Sequence, residues 1–204
     1  MMATVRKLFH SWEESEMEKK TVIQLAQVLK ILVTAAFVVN LAVLTLVPGL
    51  VGMRGLAGLT QAAGQTELPP ALLFLAACWQ YIPRVWREGQ YQVMLTLFLL
   101  ACGVCTAVIL WQGRRVLNTI LKGNPFCMDN AKSLCRAAVC CFLIAAFALV
   151  RVAWSVWHFG SVMPLLTYNA LFIPIFLMAG LLCLVMSALF RQAAEMKAEQ
   201  DLTI

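Results

Sequence analysis

A chain of 204 residues, 62% of them hydrophobic and 13% charged, has a mean hydropathy of +0.82, whereas soluble domains are roughly half apolar and about a quarter charged. No soluble fold hides that much apolar surface from water, which excludes a soluble enzyme, a disordered regulator and a small disulfide scaffold. The net charge of +6 gathers beside apolar runs, as topology signals do, and argues against direct nucleic-acid binding.

In chain order, Val5, Leu8, Phe9 and Trp12 recur at helical spacing, with Arg6, Lys7 and the acidic group Glu13, Glu14, Glu16 and Glu18 around them. This pattern predicts a cytoplasmic amphipathic helix over 1–26, lying on the inner leaflet, against a partner, or simply leading into a span. Four glutamates and no apolar core region argue against a signal peptide there. Crossing roughly 30 Å of hydrocarbon takes about 20 apolar residues, and Ile31–Leu50, Val93–Trp111, Ala137–Trp157 and Pro164–Phe190 qualify. The expected layout is a first span 27–50, an extracytoplasmic segment 51–92, a second span 93–112 and a cytoplasmic loop 113–135. A third span 136–158, an outer turn 159–163, a fourth span 164–190 and a cytoplasmic tail 191–204 follow. Gly49, Gly52, Gly55 and Gly58 follow a membrane helix rather than a strand, so they read as a turn along the surface and not as a dinucleotide fingerprint. Between Pro70 and Pro83, the run Ala71–Ile82 reaches only about 18 Å at helical rise and is predicted as an interfacial or re-entrant helix over 71–82.

Lysine and arginine are more frequent on the cytoplasmic side of membrane helices. With the N-terminus inside, twelve of the sixteen fall on that side, Arg54, Arg84 and Arg87 lie outside, and Arg151 is within a span. Both termini are therefore expected in the cytoplasm. Trp79, Tyr81, Trp86 and Tyr91 then cluster at the outer interface, where amphipathic rings are favoured. Of eight cysteines, Cys102, Cys105, Cys140, Cys141 and Cys183 lie in spans, Cys127 and Cys135 face the cytoplasm, and Cys78 alone lies outside. That distribution offers no structural disulfide.

Two groups of residues invite a functional reading. In the loop, Val116, Leu117, Ile120 and Leu121 form an apolar stripe flanked by Arg114, Arg115 and Lys122. Gly123 stops that helix, Asn124-Pro125 prevents its resumption, and Phe126 precedes a new start with Asp129 and Asn130 in the first turn. This is either a plain helical hairpin or a docking face for a cytoplasmic partner. The segment Gly123–Leu134 resembles the signature G-x-P-F-S-x-x-N-x-x-x-L of an uncharacterised family of bacterial four-span membrane proteins, a domain of unknown function. The closing Glu199–Ile204 is similar to that family's E-N-D-L-T-I/V, and the resemblance covers roughly residues 21–204. Cys127 departs from it, standing where the pattern has an N-capping serine, and Gln200 stands in place of an asparagine. The family implies no known activity, but its members are often encoded beside a small Cro/CI-type helix-turn-helix regulator. The partner face is expected at Arg114, Arg115, Phe126, Asp129, Asn130, Asp201, Leu202, Thr203 and Ile204, with the tail docked on the Val116–Leu121 stripe.

The second group is Asn40, Arg151, Tyr168 and Asn169, all in the outer half of the expected bilayer. Pro174, one turn beyond Ala170, leaves the Ala170 carbonyl without its usual donor. Together they read either as a polar pocket for an anion or amphiphile, or as Arg151 snorkelling outward while the asparagines bond across helices. Cys102-Gly103-Val104-Cys105 lacks the histidines, carboxylates or second pair that metal or redox chemistry needs, and reads as close helix packing. His10 and His158 fall on opposite sides of the membrane, and no hydrolase, zincin or phosphate-loop motif occurs.

The expectation is an all-α, four-span protein of the bacterial cytoplasmic membrane, not an enzyme, without metal or cofactor. Its role would be regulatory, as a partner of a small cytoplasmic DNA-binding regulator. The alternative is a small binder or carrier of an amphiphile or anion. Apart from the lipid bilayer, a second copy of the chain stays open as a partner.

Overall fold

In hydrocarbon a backbone satisfies its own N–H and C=O groups by coiling into helix, and the described residues are helix joined by turns. The computed structural model describes residues 2–52, 70–87, 89–124, 126–160 and 168–202, with the backbone alone for residues 2–20, 168, 169, 201, 202 and a few others. The elements are α1 (Met2–Gly52), α2 (Pro70–Arg87), α3 (Gln90–Leu121), α4 (Met128–Phe159) and α5 (Tyr168–Leu202). Among the described residues, four stretches are long and apolar enough to cross a membrane: Ile23–Val51, Gln90–Leu121, Met128–His158 and Ala170–Gln200.

Two elements differ from the expectation. The N-terminal helix and the first span are one helix of 51 residues, about 76 Å long. The reason is local: no glycine or proline occurs before Pro48, so nothing breaks the coil. The predicted 71–82 helix does not stop at Pro83 but continues to Arg87, making 18 residues and about 27 Å. An interior proline costs about 3 kcal/mol. The turn beyond it offsets that cost by burying Val85 completely.

Packing follows chain order. Among the described residues, α1 packs on α2 and α3, α3 on α4, and α4 on α5, while α1 touches neither α4 nor α5. Among the described residues the spans thus form an open layer with α1 and α5 at its edges. The core belongs to α4, where Ala131, Ala138, Ala145 and Val152 recur every seven residues, interleaved with Cys141, Ala148 and Ser155, all buried. A sevenfold repeat of small side chains keeps one seam facing its neighbours and lets backbones approach. Tyr91 stacks on His158 at 6.4 Å at one end of α3–α4, and Thr119 meets Asn130 at the other, so the two helices are antiparallel along their whole length.

Close approach explains three glycines. A Cβ at Gly49 would strike the backbone carbonyl of Cys78 on α2, one at Gly103 would lie 2.5 Å from Leu44 Cδ1, and one at Gly180 would lie 2.8 Å from Phe142. Gly113, in contrast, has nothing within 4 Å of the added atom. Gly49→Ala should therefore lower the melting temperature in detergent, at a cost of about 1–3 kcal/mol from overpacking against an immovable backbone. Gly113→Ala should leave it unchanged or raise it, since alanine favours helix by about 0.5–1 kcal/mol.

Candidate functional site

The turn between α3 and α4 is built from backbone bonds. Gly123 adopts φ 75°, a left-handed conformation that side chains resist. Its N–H donates to Ile120 O at 3.0 Å, and the Asn124 N–H donates to Thr119 O at 3.2 Å. This double bond pattern closes the last carbonyls of α3. Cys127 caps α4 with extended backbone and makes no side-chain bond. Its carbonyl accepts from the Asn130 and Ala131 N–H groups instead.

Side chains then tie this turn to both neighbours. The Thr119 hydroxyl lies 2.7 Å from Val116 O and 2.6 Å from the Asn130 side-chain oxygen. A hydroxyl has one proton, so both contacts are satisfied when the amide turns its nitrogen to donate to Thr119, which donates to Val116. From α5, the Ser187 hydroxyl donates to Ala131 O at 2.7 Å, Phe190 packs on Phe126 at 5.7 Å, and Lys197 donates to Asn124 Oδ1 at 3.0 Å. Arg115 pairs with Asp129 at 3.7 Å with both side chains largely in solvent, a pairing of little energetic weight.

Of the expected partner face, Arg114 is half-buried, while Arg115, Phe126 and Asp129 are at the surface. Asn130 is not: it is 1% exposed, an internal strut of the hairpin held against Thr119. The helical tail does reach the loop, but through Phe190 and Lys197. Since α5 does not touch α3 among the described residues, the Val116–Leu121 stripe is no groove for it; Leu117 is already buried. The backbones of Asp201 and Leu202 continue α5; Thr203 and Ile204 lie outside the described residues.

Of the four expected pocket residues, Asn40 and Arg151 are carried by helices that do not touch among the described residues. Asn40 sits on α1, where its buried oxygen has no hydrogen-bond partner, and α3 stands between it and the α4 that carries Arg151. The Arg151 guanidinium lies over the Phe98 ring at 4.7 Å, a contact that offsets part of the cost of a charge in hydrocarbon. The side chains of Tyr168 and Asn169 lie outside the described residues. Instead, a cleft of about 450 Å³ opens at that end between α2, α3 and α4, lined by Trp86, Arg87, Gln90, Met94, Leu97 and Trp154 among others. Its sequence signal was the aromatic and basic group straddling Pro83. Among the described residues no three histidine, cysteine or acidic side chains are placed to hold a metal. Cys105 is buried in the packing, and the neighbouring Gly103 abuts α1, as the packing reading of that motif requires.

Four membrane-length helices among the described residues, which hold no strand, mark a multi-pass integral membrane protein. The chain belongs to a family described as proteins of unknown function, DUF2975, whose model matches residues 79–204, from within α2 to the end. No curated protein and no solved structure matches it.

The buried strut and the surface pair should respond differently to mutation. Asn130→Ala should destabilise by about 1–3 kcal/mol, the cost of orphaning a buried partner, whereas Asp129→Ala should cost no more than about 1 kcal/mol. Thermal unfolding of the two purified variants in the same detergent measures both.

Proposed function

We propose that the protein is a non-catalytic, membrane-held partner of a small cytoplasmic helix-turn-helix DNA-binding regulator. In this reading both termini and the α3–α4 turn face the cytoplasm, on the side that holds most of the lysine and arginine. The observation that carries it is the architecture of that end. A turn fastened to α5 by Lys197 and Phe190 presents Phe126 at 49% exposure and, at the start of α4, Met128 at 42%, with the Arg115–Asp129 pair on the same hairpin. Exposed apolar side chains with charge on the same hairpin, on a turn tied to a neighbouring helix, suit protein docking. α5 runs on past the turn as helix to Leu202. The resemblance of the Gly123–Leu134 signature, with its expected neighbour regulator, supports the same reading.

A second reading draws on the cleft at the opposite end. Its tryptophans, its arginine and its apolar floor of Met94 and Leu97 suit an anionic amphiphile entering from the outer leaflet.

Affinity purification from native membranes tests the first reading. A small helix-turn-helix protein, identified by mass spectrometry, should come with the parent and be lost with Phe126→Ala/Met128→Ala, at unchanged membrane insertion. Equal recovery with the double variant, or none with the parent, would refute it. Labelling with an impermeant maleimide tests the orientation: Cys127 should react from the cytoplasmic side only. Cys78 should react from neither, because it is 2% exposed and burial raises its thiol pKa, which keeps it in the unreactive thiol form.

A further inference from the structure

A second cleft, of about 340 Å³, lies where α3 leaves its apolar stretch, lined among the described residues by Trp111, Arg114, Arg115 and Asn118. These positions are spaced i, i+3, i+4 and i+7, so they share one helix face over two turns. Their polar atoms are an indole N–H, two guanidiniums and a carboxamide, a set dominated by donors. The acidic side chain paired there, Asp129, is 3.7 Å from Arg115 with 64% of its side chain exposed, too weak a contact to occupy the guanidinium. Trp111 is steadied by Phe37 of α1 at 5.8 Å. On the apolar side of the cleft the same helix face continues as Val104, Val108 and Trp111, exposed by 52%, 37% and 53%.

We propose that this cleft binds an anionic phospholipid. The acyl chains lie along Val104 and Val108, Trp111 sits at the glycerol level, and Arg114 and Arg115 take the phosphodiester oxygens, with Asn118 reaching the headgroup. Planar guanidinium forks match phosphate oxygens, and tryptophan favours the boundary between hydrocarbon and water. The continuous apolar approach selects a lipid over a free phosphate, which would have no use for it. This site shares Arg115 with the docking end, and no regulator is needed to test it.

The full-length protein in micelles doped with phosphatidylglycerol or phosphatidylcholine, read by native mass spectrometry, supplies the test. The parent should retain phosphatidylglycerol in preference. Arg114→Gln/Arg115→Gln should reduce that retention about tenfold or more, since each basic residue near an anionic surface is worth about a fivefold factor. Lys132→Gln/Arg136→Gln removes the same charge from exposed positions on α4 and should leave retention intact. Asn118→Ala, which keeps every charge, should lower it about threefold and serves in place of the double variant if that one unfolds. Equal loss in the two double variants would reduce the effect to diffuse charge and overturn the proposal. So would no preference in the parent, or full displacement of the lipid by millimolar inorganic phosphate.

Discussion

The small-residue seam of α4 is the contact on which the rest of the arrangement depends. Lipid tails are as apolar as leucine, so burying leucine between membrane helices gains little, and association rests on close van der Waals fit and interhelical hydrogen bonds. Ala131, Ala138, Ala145 and Ala148 supply the fit. α5 answers with Gly180, set against Phe142, and with the Ser187 hydroxyl bonded to a backbone carbonyl of α4. α3 is joined to the same helix by Thr119 at one end and by the Tyr91–His158 stack at the other. Because the seam runs the length of α4, the turn at residues 122–127 is positioned by two long helices rather than by its own short chain.

The two edges of the layer follow from the same economy. α1 and α5 each bury one narrow face and present Ile31, Leu32, Val39, Met178 and Leu182 outward. That exposure would be a fault in water and is without penalty in lipid. The cost appears at the polar atoms instead. Asn40, Gln112 and Ser133 each have a buried oxygen with no hydrogen-bond partner, and a missing partner is more expensive in a dry interior than at a surface. Asn40 belongs to α1, Gln112 to α3 and Ser133 to α4.

What the sequence made legible was whatever depends on neighbours along the chain. Uninterrupted apolar runs announced four spans, and Gly123-Asn124-Pro125 announced the stop of α3. Cys127 was read as a weak cap, and it caps with its backbone alone. What depends on lateral packing was hidden. Asn130 looked like a surface cap residue because its burial is decided by Thr119, eleven positions away on another helix. Asn40 and Arg151 looked like pocket partners because hydropathy gives depth in the membrane but not which helix stands beside which. Pro83 looked like a terminus because the compensating burial of Val85 lies beyond it.

The order of packing also bears on how such a chain is made. Every described helix contact joins segments that are adjacent or nearly so along the chain, so the contact order is low and little loop entropy must be spent on any one pairing. A helix emerging from the ribosome finds its docking surface in the segments synthesised just before it: α3 on α1, α4 on α3, α5 on α4. Assembly can keep pace with synthesis, which proceeds from the N-terminus at about 5–20 residues per second. No edge has to wait for a distant partner, because the layer never closes into a ring.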